Sequence, residues 1–472
     1  MADSFSQRFF IVKRLPENFL ESLNGVKGFN KDAFVKIHKS GEQVTSIRMN
    51  PNKLSSPDFI FPTSQKIPWT QNGYYLKDRP SFTFDPLFHA GCYYVQEASS
   101  MFLEQAFLEL VDTSKPLKVL DLCAAPGGKS THIQSMISSD SLLVSNEIIR
   151  SRNNILVDNI IKWGCANVFV SNNDASAFKK LEGYFDVMVV DAPCSGSGLF
   201  RKDEEAIDEW SLNNVQLCSQ RQQRILADAL PGLKENGILI YSTCSYSTEE
   251  DEDIMDWLVE ELGMENLELR LQTEWNVVET HSSKTRSKGY RFYPDKVKGE
   301  GLFLSCFKKL NPTKEFKSRP GKLEKASKKE ADIIQPWLKN TGNAIIRDVD
   351  SFFAMPASLE AEYVVLKSFL NLQYKGASIG KIMKDRLVPD HSLALSMVIS
   401  EEIPFNELAY EQAIKYLQRQ NVNFETVKKG WQLIQYKGHN LGWINVLPNR
   451  INNYYPKELR ILKQQNNSAF EK

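Results

Sequence analysis

FDVMVVDAPCSGSG, Phe185 to Gly198, is the stretch on which the reading of this chain turns. It opens as an apolar, β-branched run of the kind that fills a parallel strand buried on both faces. It closes in a polar, glycine-rich turn carrying Asp191, Pro193 and Cys194. In open α/β sheets ligands sit beyond the carboxyl ends of the strands, which is where these three residues fall. The plainer alternative is a strand followed by a Gly/Ser loop, with Cys194 a small buried hydrophobe. Two other stretches decide between them.

Upstream, DLCAAPGGKS (Asp121 to Ser130) joins a strand to a helix. Small residues there let a ligand approach the backbone, and a helix N-terminus favours negative charge. The G-K-S ending invites a P-loop reading, but that motif needs glycine where Cys123 stands, and G-x-G-x-x-G is absent. What remains is a turn for a smaller, adenosine-type ligand. Glu147 ends the second strand roughly 20 residues further on, the place from which an acid grips ribose hydroxyls. Asp174, just past the third strand, is placed to meet the adenine. Singly, either acid reads equally as a helix cap; the coincidence of three adjacent strand ends favours a ligand site.

Downstream, STCS (Ser242 to Ser245) ends the fifth strand. In a doubly wound sheet the fourth and fifth strands lie side by side next to the first, so Cys194 and Cys244 face one pocket. Two thiols and Asp191 beside an adenosine-type ligand suggest nucleophilic catalysis by a thiolate. A disulfide and a metal site are the competing readings. The seven cysteines form no C-x-x-C pair, which argues for reduced thiols in a cytoplasmic setting, and no third soft ligand accompanies the two.

The pattern around these stretches is βαβ alternation from Leu117. Expected strands are LKVLDLC, LLVSNEI, VFVSN, FDVMVVD and GILIYSTCS, closed by Gly301 to Leu310. Expected helices include Arg150 to Trp163, Asn213 to Leu230 and DEDIMDWLVEEL, the last entered through a capping box of Ser247 and Glu250. Residues 1–80 read as a small helical extension holding one short strand, TSIRMN, and a passage punctuated by Pro62, Pro68 and Pro80. Residues 81–310 form the α/β domain and 311–330 a basic linker. Residues 331–472 form an aromatic-rich region in which 374–385 and 430–456 look like one small β-rich module.

With 472 residues, 42% hydrophobic and 25% charged, the chain is an ordinary multidomain globular protein. No segment reaches the ~18 uninterrupted apolar residues of a membrane span, and MADSFSQRFF carries no secretory-signal pattern. Lys plus Arg equals Asp plus Glu at 58 each, so net charge names no polyanion partner. The strip Lys284, Arg286, Lys288 and Arg291, with Arg48 and Asn50, offers candidates for phosphates; surface charge and a packed turn are the alternatives. Tyr374, Trp431, Trp443, Tyr454 and Tyr455, beside Lys375, Lys437 and Arg450, offer stacking faces for RNA, although Trp431 and Trp443 suit a barrel core better.

CAAPGGK, DAPCSGSG and STCS, in this order and spacing, resemble the signature motifs of the RNA (cytosine-5) methyltransferases of the NOL1/NOP2/Sun family. The likeness covers about Ser46 to Leu310. The flanking regions are most similar to bacterial enzymes of the RsmF (YebU) type, which act on 16S ribosomal RNA. One departure is Glu204, where related sequences carry a proline after GLFRKD. The resemblance implies an α/β fold with a doubly wound, Rossmann-like methyltransferase sheet, an N-terminal RNA-binding extension and a C-terminal PUA-like module. It implies S-adenosyl-L-methionine as cofactor, held by Cys123, Ala124, Ala125, Pro126, Gly127, Gly128 and Lys129 on the methionine side and by Glu147, Asp174 and Asp191. By the same likeness Cys244 attacks carbon 6 of cytosine, Asp191 hydrogen-bonds the base, and Cys194 assists breakdown of the adduct. The target base must be unstacked to be reached. The implied partner is small-subunit ribosomal RNA, with a cytoplasmic, monomeric protein that needs neither metal nor membrane. Transfer RNA as substrate, a DNA cytosine methyltransferase that attacks through its Pro-Cys thiol, and a non-catalytic assembly factor are the rivals.

Overall fold

The computed structural model describes residues 13–54, 65–314, 316, 321–339, 342–422 and 428–463. The first ten residues, Pro62 and part of the expected linker lie outside them.

The N-terminal part begins with two short helices, α1 (Glu17–Ser22) and α2 (Lys31–Lys39), the second capped by Asn30, whose Oδ1 accepts from Ala33 N at 3.0 Å. It is not simply helical, however. Strands β1 (Thr45–Met49), β2 (Gln65–Lys66), β3 (Gly73–Leu76) and β4 (Tyr93–Val95) form a sheet in the order β2-β3-β1-β4, antiparallel throughout. The sheet runs past residue 80, because β1 finds its second partner in the Tyr93–Val95 segment. Helices α3 (Pro86–His89) and α4 (Leu103–Leu110) lead into the central domain.

There the alternation holds: β5 (Lys118–Asp121), α5 (Gly128–Met136), β6 (Leu142–Asn146), α6 (Arg150–Trp163), β7 (Val168–Ser171), β8 (Phe185–Asp191), α7 (Glu205–Glu209), α8 (Leu212–Ala229), β9 (Leu233–Thr243) and α9 (Glu252–Glu260). Next come β10 (Met264–Leu267), β11 (Val278–His281), β12 (Lys288–Phe292) and β13 (Leu302–Lys309), all antiparallel additions. Successive residues of a strand enter opposite cores: Val119, Leu143, Val187 and Ile240 pack on one face, Leu120, Val144, Met188 and Leu239 on the other. Burial on both faces is why these strands read as continuous apolar runs.

The remainder supplies α10 (Lys328–Ile334), β14 (Asn343–Asp348), β15 (Ser351–Pro356), α11 (Glu360–Phe369), β16 (Leu372–Lys375), β17 (Ala377–Met383), β18 (Arg386–Pro389) and α12 (His391–Leu395). After these come β19 (Phe405–Glu407), α13 (Tyr410–Leu417), β20 (Gly430–Tyr436), β21 (His439–Leu447) and β22 (Arg450–Asn453). The expected single module of 374–385 and 430–456 is three pieces instead. Tyr374 and Lys375 belong to β16, which pairs antiparallel with β7 and closes one edge of the central sheet in the order β11-β12-β13-β9-β8-β5-β6-β7-β16. Strands β14-β15-β17-β18 make one four-stranded sheet and β19-β20-β21-β22 another. Among the described residues no helix is long and apolar enough to cross a membrane.

Candidate active site

Strands β8 and β9 are parallel neighbours with Asp191 opposite Ser242, so the turns that follow leave the sheet at one level. Ala192 N donates to Ser242 O at 2.8 Å and Gly198 N to Cys244 O at 2.7 Å, which zips the two turns together. A Cβ on Gly198 would lie 2.6 Å from Cys244 O and 2.8 Å from Gly301 O, so the approach requires glycine. The result is that the sulfurs of Cys194 and Cys244, both free thiols, lie 2.9 Å apart. Contact with Cys244, and then burial, raises the Cys194 thiol well above its ordinary range. Cys194 is thereby held as a protonated thiol against the Cys244 sulfur.

Asp191 sits beside them. Its Oδ1 accepts from Ser242 Oγ at 2.7 Å and its Oδ2 from Lys129 Nζ at 2.7 Å. Burial works to lower the Lys129 ammonium, but Asp191 outweighs it and the ammonium is held above its ordinary value. Lys129, on the first turn of α5, is thus an ion-pair partner of Asp191.

A cavity of about 520 Å³ opens over these groups. Cys123, Ala125, Glu147, Asp174, Asp191, Cys194 and Cys244 all line it, with apolar walls from Ile148, Ile149 and Ile225. Glu147 is 3% exposed, and its Oε1 accepts from Ile149 N at 2.8 Å, leaving the other oxygen beside Arg152 at 3.6 Å. Asp174 serves both readings: it lines the cavity and caps the following 3₁₀ turn, accepting from Ser176 N at 3.0 Å. Ala124, Pro126, Gly127 and Gly128 stand behind the wall. Ala124 packs in the core, Pro126 O accepts from Asn159 Nδ2 at 2.8 Å, and Gly127 starts α5 at φ 111°. An acid for ribose hydroxyls, an apolar slot for a purine and a volume in the usual range for small ligands fit S-adenosylmethionine.

Other candidates lie elsewhere. Arg48 is wholly buried, donating to Gln96 Oε1 at 2.7 Å and Thr131 Oγ1 at 2.6 Å and stacking on Trp163. Asn50 is buried too, its Nδ2 bonded to the carbonyls of Gly91 and Trp163 at 3.0 Å each. Both pin the N-terminal sheet to the central domain and neither can reach a phosphate. The basic strip is dispersed as well: Arg291 is buried against Glu252 and Asp251, while Lys284 pairs with Glu260 and Lys288 with Glu268. Only Arg286 of that strip is exposed without a recorded ion pair among the described residues. Of the C-terminal aromatics, Tyr374, Trp443 and Tyr455 are core residues, and Lys375 pairs with Asp348. Trp431 is half-buried against Tyr454, which is 41% exposed. The residue missed by the sequence reading is Glu250. It makes no capping box; its carboxylate turns inward to Ser195 and Ser245.

A mixed Rossmann-like sheet with this cleft at its strand ends defines the class of S-adenosylmethionine-dependent methyltransferases. Residues 106–308 match the family model of the 16S rRNA methyltransferase RsmB/F, residues 15–98 that of the N-terminal domain of 16S rRNA methyltransferase RsmF, and residues 404–461 that of the RsmF PUA domain. The chain belongs to this RsmB/F methyltransferase family. It is 30% identical to the ribosomal RNA small subunit methyltransferase F of Vibrio parahaemolyticus over 94% of this chain and 97% of that one. Against that of Shewanella piezotolerans it is 30% identical, over 88% and 90%. A crystal structure of a methyltransferase homolog protein from Pyrococcus horikoshii superposes with a TM-score of 0.51 at 27% identity, over 63% of this chain and all of that one (100%).

Proposed function

We propose that this methyltransferase acts on carbon 5 of a cytosine in 16S ribosomal RNA, through a covalent bond between Cys244 and the base. The observation that carries the reading is the pair of sulfurs 2.9 Å apart beside Asp191, on the wall of the cofactor-sized cavity. Carbon 5 of cytosine is too weak a nucleophile to take a methyl group unaided. Attack of the Cys244 thiolate on carbon 6 forms a C–S bond and pushes the ring's electron pair toward nitrogen 3, leaving an enamine. Asp191, oriented by Ser242 and Lys129, has acceptor capacity left for the amino group and for nitrogen 3 once that nitrogen, gaining charge in the addition, has taken a proton from water. S-adenosylmethionine supplies the sulfonium methyl that the enamine carbon takes. Loss of the carbon 5 proton to water then restores the ring double bond and breaks the C–S bond, returning the thiolate, and nitrogen 3 gives its proton back to solvent. Cys194, kept protonated beside the departing sulfur, assists that release.

The N-terminal and PUA modules bind the RNA, and the protein works in the cytoplasm as a monomer without metal. Replacing the cysteines one at a time tests the roles. With 16S rRNA and cofactor, Cys194→Ala is expected to leave a denaturant-stable protein–RNA adduct and Cys244→Ala none. The opposite pattern would reverse the assignment. Bisulfite sequencing of 16S rRNA from cells with and without the gene identifies the target base.

A further inference from the structure

Glu250 is fully buried, yet among the described residues its carboxylate forms no ion pair. Its oxygens are satisfied by neutral donors drawn from three elements. Oε1 accepts from Ser195 N at 2.8 Å and from Gln222 Nε2 at 3.3 Å; Oε2 accepts from Ser195 Oγ and from Ser245 Oγ, both at 2.6 Å. Ser195 directly follows Cys194, and Ser245 directly follows Cys244. The backbone of Glu250 is fixed in turn, its carbonyl accepting from Tyr241 Oη at 2.7 Å. Glu250 does not line the cavity, so it touches neither cofactor nor base.

We propose that Glu250 is the positioning residue that makes the two cysteine turns one unit and fixes Cys194 against Cys244. This rests on the reading of Cys244 as nucleophile given above. The two turns do not depend on Glu250 equally. The Cys244 turn has anchors of its own: Gly198 N on Cys244 O, Ser245 N on Thr243 Oγ1 at 3.2 Å and Tyr246 N on Ser197 Oγ at 3.0 Å. The Cys194 turn shares these bonds only at its ends, through Ala192 N on Ser242 O and through Ser197 and Gly198. At Pro193 and Ser195, on either side of Cys194 itself, it is held by Glu250, through both the backbone and the hydroxyl of Ser195, and by Gln222 Nε2 on Pro193 O at 3.1 Å. Loss of the carboxylate therefore displaces Cys194 first and leaves Cys244 able to attack. Release of the product, the step assigned to Cys194, is what suffers.

The test compares Glu250→Gln and the double variant Ser195→Ala/Ser245→Ala with wild type and Cys194→Ala, using 16S rRNA and S-adenosylmethionine. Each is expected to lose about 100-fold in turnover, the scale of a displacement near 1 Å, with cofactor affinity unchanged. Each is also expected to accumulate the covalent RNA adduct although Cys194 is still present. A residue that merely stabilises the fold would lower the unfolding midpoint and the active fraction without adduct. That result, or wild-type turnover, overturns the proposal, and if Glu250→Gln does not fold, the serine pair decides it. Absence of adduct in Cys194→Ala itself would strike the underlying mechanism instead.

Discussion

Gly198 shows how little room the chemistry leaves at the level of single atoms. The Cβ of an alanine there would press on two backbone carbonyls, those of Cys244 and Gly301, and neither can swing aside as a side chain would. Gly198→Ala is expected to cost about 1–3 kcal/mol of stability, as overpacking does. It should cost about 100-fold in single-turnover methyl transfer, because the strain falls on Cys244, the proposed nucleophile. Wild-type single-turnover rates in a folded Gly198→Ala protein would contradict the zipped-turn geometry. Cys194, Cys244 and Asp191 were legible in the sequence because each follows a strand whose apolar run is unmistakable, and strand ends converge by topology. Glu250 was not. In SYSTEEDEDI its acid is one of a cluster that looks like the first turn of a helix, and only the tertiary fold shows that Ser195 lies beneath it.

At the level of elements, β1 is the instructive case. The sequence showed a short strand carrying Arg48, and an exposed arginine before an RNA-binding surface is a reasonable expectation. Its two partners, β3 and β4, lie far along the chain beyond proline-rich segments, and pairing of that range leaves no local periodicity to read. The same holds for β16, whose place on the edge of the central sheet is set by β7, some 200 residues earlier in the chain. Once paired, β1 is buried along its whole length and Arg48 becomes a pin between β1 and α5. Arg48→Met is accordingly expected to lower stability by about 2–4 kcal/mol, since it leaves Gln96 and Thr131 without their donor. It should leave the salt dependence of RNA binding unchanged. Removing a phosphate contact would instead reduce the slope of log affinity against log salt by about 0.7 for single-stranded RNA. Titrations of wild type and variant at several salt concentrations separate the two.

Across the whole molecule, the modules are joined by shared cores. Ile47 and Tyr93 of the N-terminal sheet pack in one cluster with Ile414, Ile434 and Ile444 of the last module, and Ala166 of the central domain packs with Trp443. Buried histidines sit in these seams. His89 of α3 contacts Thr83 O at 2.9 Å and meets the hydroxyl of Tyr455, from the far end of the chain, at 3.3 Å. His391 lies edge-on to the same Tyr455, with Lys53 and Lys162 as its charged neighbours and the His89 ring near it. His38, in α2, stacks on Phe34 with Arg201 nearby. Burial pushes all three rings down, to about 4 for His38 and His89 and about 3 for His391; the carbonyls of Phe34 and Thr83 oppose it at His38 and His89, and Arg201 at His38, Lys162 at His89 and Lys53 with Lys162 at His391 add to it. The unfolded chain binds their protons below about 6.5 while the folded protein does not. The contribution of each ring is therefore complete above that pH and falls as the pH drops toward 4, by up to about 1.4 kcal/mol per histidine per pH unit. Asp121 and Glu300, whose burial raises their carboxyls to about 7, offset part of that fall. Asp256, whose partial burial is outweighed by the hydrogen bonds it accepts, among them those from Lys284 and Thr285, has its carboxyl held at about 2, so its stabilising contribution is intact across this window and is lost only below it. Urea unfolding at pH 7.5 and pH 5.0 is expected to show a clearly lower midpoint at the acidic end. His391→Gln should flatten the pH dependence by one site's share even if it also lowers the midpoint at both pH values. A midpoint that stays level from pH 6.5 to 5.0 would mean that these rings protonate freely inside the folded protein, and that the seams between modules are open to water.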